Sequence, residues 1–139
     1  MTGQEAVAYI HSFQWQRHAP GLDRIRALLH ALGDPQRGMK FVHVAGTNGK
    51  GSTCAMIAAI LEAAGYRVGL NTSPYLEDFR ERIQINGEMI PEAALAALVE
   101  EIRPAAEAMA DHPTEFELIT AIALLHFRRE QCDIAVLEV

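Results

Sequence analysis

Residues 41–53, FVHVAGTNGKGST, constrain the fold more than any other stretch of the chain. An apolar run, a glycine-rich turn, a lysine and two small hydroxyl residues follow one another, and residues 54–64 then carry apolar side chains at helical spacing. That order is strand, phosphate-binding loop, helix. Glycine at 46, 49 and 51 lets main-chain N–H groups come close to an anion. The N-terminus of the following helix adds unpaired donors and partial positive charge. Lys50 supplies a full charge within reach of the outer phosphates of a nucleotide, and Ser52 and Thr53 offer hydroxyls to phosphate or to Mg2+. Against the common pattern G-x-x-x-x-G-K-[ST] two positions depart: Val44 stands at the first glycine, and Gly51 follows the lysine. The plain alternative is a glycine-rich turn with a solvated lysine. The flanking strand and helix patterns favour nucleotide phosphate.

A short strand, 67–71, follows the helix, and Gly65 ends the helix before it. Strand, helix and second strand read as a βαβ unit with a parallel pair. Within the helix, Cys54, Ile57, Ile60 and Leu61 are the expected core face. Thr72-Ser73-Pro74 then leaves the C-terminal end of the second strand, the edge at which open α/β sheets collect ligands. On its own Ser-Pro is only a turn signal. Ile83, Ile85 and Met89 around Asn86-Gly87 predict a hairpin. The last run, 133–139, is apolar as in a buried parallel strand, yet it carries Glu138 near its C-terminal end. A carboxylate there is costly unless paired or bound to a metal. The alternative is a side chain exposed simply because the strand has run out.

The remaining segments read as helices. Thr2 with Glu5 forms a capping box for residues 3–14, with Val7, Ile10 and Phe13 on one face and Trp15 as a packing residue. Residues 22–32 form a second helix closed by Gly33 and Pro35. Residues 91–110 are alanine-rich, and Pro104 is expected to divide or kink that helix. Thr114 and Glu117 form a second capping box. His126, in an apolar run, reads as a core or boundary residue rather than a ligand, and no His/Cys group has zinc spacing.

Composition excludes several classes. The chain has a net charge of −6 and pI near 5.4, which argues against a nucleic-acid partner. No apolar run approaches a membrane span, and the N-terminus lacks the features of a secretory signal. Cys54 and Cys132 make no disulfide framework, which together with the rest favours the cytoplasm. Half of the 139 residues are hydrophobic, enough for one modest core. A chain that stops in a core strand reads as interrupted. It is therefore expected to be weakly stable or self-associating, and inactive alone.

Gly-Thr-Asn-Gly-Lys-Gly-Ser, residues 46–52, resembles the phosphate loop of the folylpolyglutamate synthase/dihydrofolate synthase family, within the wider Mur ligase group. Mur ligases usually read Gly-Lys-Thr-Thr or Gly-Lys-Thr-Ser at this place, so Gly51 points to the folate branch. Thr72-Ser73-Pro74-Tyr75-Leu76, Glu81-Arg82-Ile83 and Asn86-Gly87-Glu88 are similar to further family segments, with Tyr75 where relatives often have His. The resemblance implies an α/β fold with a mostly parallel sheet flanked by helices, a Mur-ligase-type ATPase domain. Residues 1–139 would be its N-terminal portion, with the rest of that domain and a C-terminal domain absent. It implies ATP and Mg2+ as cofactors. Gly46, Thr47, Asn48, Gly49, Lys50, Gly51, Ser52 and Thr53 would bind nucleotide, with Lys50 catalytic, and Ser73 and Glu138 would hold the metal. Gly21, Leu22, Phe116 and Glu117 would border the pteroate. The implied partners are dihydropteroate or folate and L-glutamate, and the implied full-length enzyme is a monomer. Two rivals remain: a Mur-type ligase with a cell-wall acceptor, and a non-ligase phosphate-loop module. An Asn-Lys-x-Asp guanine motif is absent from the chain.

Overall fold

A computed structural model describes residues 1–13, 21–46, 49–73 and 77–138. Trp15, Thr47, Asn48, Tyr75 and Val139 lie outside the described residues. The chain divides into two compact units, residues 1–37 with 92–126, and residues 38–91 with 127–139.

The first unit is helical. Helix α1 (Gly3–Ser12) starts at the expected capping box: Thr2 Oγ1 accepts from the Glu5 N–H, and the Glu5 carboxylate accepts from the Thr2 N–H. Its buried face is Ala6 and Ile10, with Val7 and Phe13 only half-buried. Helix α2 (Asp23–Ala31) has Leu22 and Leu32 at its ends, and Gly33 takes the left-handed angles that close it. Helix α4 (Glu92–Ala108) runs unbroken through Pro104, contrary to the expected division. Only one backbone bond is lost at a proline, while Ile102 and Ala106, both fully buried, anchor the helix on either side of it. Helix α5 (Glu115–Arg129) opens on the Thr114–Glu117 box and buries Leu118, Ile119 and Ile122 completely or nearly so. His126 is buried, as expected.

The second unit holds a five-stranded sheet. Its strands are β1 (Lys40–Val44), β2 (Val68–Asn71), β3 (Ile83–Ile85), β4 (Glu88–Met89) and β5 (Ile134–Glu138), in the order β1-β5-β2-β3-β4. The first three of that order are mutually parallel, and the β3–β4 hairpin adds antiparallel strands at the other side. The β1 and β2 strands are therefore parallel but not neighbours, because β5 inserts between them. Ala135 and Val136 are fully buried in β5, which has a parallel neighbour on each side. Asn86 and Gly87 both have positive φ, the backbone a two-residue hairpin needs.

Helix α3 (Lys50–Ala63) lies on one face of the sheet. Cys54, Ile57, Ala58 and Leu61 form its inward stripe against Val42, Val44, Val68, Leu70, Ile134 and Val136. Ile60, expected in the core, lies off that stripe and is 68% exposed. The opposite face of β2 carries Gly69, backed directly by the buried Phe127 ring.

Candidate functional site

Strand register decides where the phosphate loop and the last carboxylate meet. In β1 and β5 Val42 lies beside Val136, and Val44 beside Glu138. Side chains alternate between faces along a strand. Ile134 and Val136 pack toward α3, so Glu138, two residues further, continues on the same face. The α3 helix begins above it. A Cβ built on Gly51 would lie 3.7 Å from Glu138 Oε2. The carboxylate thus looks onto bare backbone in the first turn of the helix, a space that any larger residue at 51 would fill.

The loop itself is built for an anion. Gly49 is the N-cap of α3 with φ 73°, a left-handed conformation, and no side chain caps the helix. The Thr53 N–H bonds back to the Gly49 carbonyl, so the first N–H groups ahead of it face outward without an intrahelical acceptor. Gly46 has φ 145° where the chain leaves β1. Gly49, Gly51, Ser52 and Thr53 are exposed and Lys50 is half-buried.

Ser73 follows β2 by two residues. Asn71 pairs with Leu137, so Thr72 and Ser73 leave the sheet level with Glu138 and just beyond it. The Thr72 N–H donates to the Arg82 carbonyl at 3.0 Å, tying this exit to the 3-10 turn Phe79–Arg82. Asp78 and Glu81 cap that turn, and the Arg80 guanidinium with the backbone N–H holds the Asp78 carboxyl below its usual range. The Asp-x-x-Glu spacing is a legible capping signal that the sequence reading passed over. The order β1-β5-β2 therefore brings the loop, Glu138 and Ser73 to one edge of the sheet.

These groups fit MgATP in kind. A carboxylate and hydroxyls are the hard oxygen donors that Mg2+ takes, and the metal keeps waters and phosphate oxygens for the rest. Among the described residues no three His, Cys, Asp or Glu side chains cluster as a metal site of their own. Cys54 lies beneath this edge. Burial and the Glu138 carboxylate raise its thiol above the ordinary range, with Lys50 acting the other way. Native Cys54 is accordingly expected to resist iodoacetamide at neutral pH and to react once the protein is unfolded. Rapid labelling of the native thiol would refute its buried placement.

The four residues expected to border pteroate lie in the helical unit. Leu22, the N-cap of α2, is 58% exposed, Phe116 in the first turn of α5 is 53% exposed, and Gly21 is exposed. Glu117 is different: it is 9% exposed, and its Oε1 accepts from the Thr114 N–H at 2.9 Å and from Arg24 Nε at 3.0 Å. The capping role is thus observed directly. The pairing of Arg24 with Glu117 and Asp111 had no local sequence signal, since these partners lie far away in the chain.

A comparison with protein-family models matches none. Individual proteins match strongly. The folylpolyglutamate synthase of Lacticaseibacillus casei is 49% identical over 144 aligned residues, covering 100% of this chain and 34% of the relative. An FPGS–AMPPCP–folate complex superposes with a TM-score of 0.95 at 49% identity, over 100% of this chain and 35% of the other. The chain is homologous to the folylpolyglutamate synthase/dihydrofolate synthase family. The dihydrofolate synthase/folylpolyglutamate synthase of Bacillus subtilis is 45% identical, over 89% of this chain and 30% of its own length. The chain spans about a third of the length of the curated synthases it matches. Its fold is that of the matching part of the synthase, a mixed sheet with three parallel strands on one side and flanking helices.

Proposed function

We propose that this chain is the N-terminal portion of the ATP-binding domain of a cytoplasmic, monomeric ligase that joins L-glutamate to dihydropteroate or folate. The observation that carries the reading is the Glu138 carboxylate facing bare Gly51 at the uncapped start of α3, beside the Lys50 loop. Likeness to the synthases along the whole chain supports it.

In this reading the loop amides and Lys50 hold the nucleotide phosphates, and Thr47 and Asn48 complete the loop. Ser73 and Glu138, with Ser52 or Thr53, hold Mg2+, which when bound supplies positive charge to the phosphate oxygens. The γ-phosphoryl group passes from ATP to the pteroate or folate carboxylate, its bond to the β-phosphate oxygen breaking, which gives an acyl phosphate and ADP. The L-glutamate amine attacks that carbonyl, an amide forms, and phosphate leaves. The chain contributes positioning and charge neutralisation, which carry most phosphoryl-transfer catalysis. On the helical unit, Gly21, Leu22 and Phe116 offer exposed backbone and apolar surface to the pterin, and Glu117 anchors the helix start that presents Phe116.

Full-length enzyme given ATP, Mg2+, L-glutamate and dihydropteroate or folate is expected to release one phosphate per glutamyl amide formed. Phosphate release with no amide would reject the ligase reading. Glu138→Gln keeps size and removes charge, so the Mg2+ concentration for half-maximal rate is expected to rise by about tenfold or more. An unchanged Mg2+ titration would remove Glu138 from the metal site.

A further inference from the structure

We propose that Arg24 is a positioning residue for the pterin-bearing substrate, an inference that rests on the ligase reading above. Arg24 belongs to the first turn of α2, and Glu117 to the first turn of α5. Their side chains are each 11% exposed and meet at 3.0 Å. Arg24 Nη1 also reaches Asp111 Oδ2 at 3.3 Å, in the stretch between α4 and α5. Glu117 Oε1 accepts the Thr114 N–H as well, so one carboxylate oxygen caps α5 and receives the guanidinium. Arg24 thereby ties the start of α2 to the start of α5 through the capping group itself.

Stability alone is a poor reason for this arrangement. Burying two charges costs about as much as their attraction returns, and an apolar pair of similar volume packs as well. Charge-assisted hydrogen bonds from one planar guanidinium to Glu117 and Asp111 add fixed geometry. What it fixes are two helix starts that carry exposed apolar side chains: Leu22 lies two residues before Arg24, and Phe116 immediately precedes Glu117. Leu22 has no capping side chain to hold that turn. A ligand that touches both residues needs their spacing held, and Arg24 links the two turns. It acts through Glu117 and the backbone, without touching substrate.

The test is equilibrium binding of dihydropteroate and, separately, of AMPPCP to full-length ligase, wild type against Arg24→Met and Arg24→Lys. Arg24→Met is expected to weaken dihydropteroate by about tenfold and to leave AMPPCP within about twofold. Lysine, a point charge without the fork, is expected to restore only part of the loss. Two results overturn the role of Arg24: a cooperatively melting Arg24→Met variant that binds dihydropteroate as tightly as wild type, or an equal loss for both ligands. If Arg24→Met does not melt cooperatively, Arg24→Lys carries the same comparison. Wild-type enzyme that binds AMPPCP but no pterin would instead overturn the ligase reading beneath the proposal.

Discussion

Lys50→Ala is expected to lower kcat/KM for ATP-dependent amide formation by about a thousandfold while leaving the melting transition in place. Lys50 opens α3 at the sheet edge where Glu138 emerges. It is half-buried, and the inward stripe of the helix begins four residues later at Cys54. Alanine is a good helix former, so the turn survives the change. On the proposed ligase reading, what is lost is a full positive charge beside phosphates that gain negative charge at the leaving oxygen. Its loss falls on catalysis, and circular dichroism of the variant separates that effect from unfolding. Turnover within a few-fold of wild type would remove the phosphate role of Lys50.

The second large effect is on stability. Gly69→Ala would place a Cβ 2.6 Å from Cγ of Phe127 and 2.7 and 2.8 Å from its Cδ atoms. Neither side can yield cheaply. Phe127 is fully buried, and β2 is paired on both edges, to β5 and to β3. Overpacking of this kind costs about 1–3 kcal/mol, and the upper end applies where backbone meets a buried ring. A fall of about 10 °C in melting temperature is expected by calorimetry. Gly69→Ala combined with Phe127→Leu is expected to recover part of it, since the two residues share one space. A wild-type melting temperature for Gly69→Ala would mean that Gly69 and Phe127 are not packed as described.

What the sequence disclosed was mainly local. Both helix starts at Thr2 and Thr114 follow from a hydroxyl and a glutamate three residues apart. The hairpin at Asn86-Gly87 follows from two residues that tolerate positive φ. The order of strand β1, glycine turn and helix α3 was legible because the residues that set it all act within a dozen positions. Long-range arrangements were not legible. Nothing near β1 or β2 announces that β5 separates them, because strand order is settled by burial across the whole sheet. Ile60 fits an apolar helix pattern but sits off the stripe that the sheet covers. The glycine at 69 gains its meaning only from a ring contributed by α5. Glu138 is an intermediate case: the strand pattern placed it at the right edge, while register and the 3.7 Å approach to Gly51 put it under the start of α3.

The ligase reading rests on transfer of phosphate to a carboxylate, and isotope transfer tests it most directly. Full-length enzyme is given ATP, Mg2+, L-glutamate and dihydropteroate or folate whose reacting carboxylate is labelled with oxygen-18. An acyl phosphate requires one labelled oxygen to leave with the released phosphate, read by mass spectrometry. The account predicts singly labelled phosphate in step with amide formation, and none from Lys50→Ala. Unlabelled phosphate accompanying the amide would contradict it.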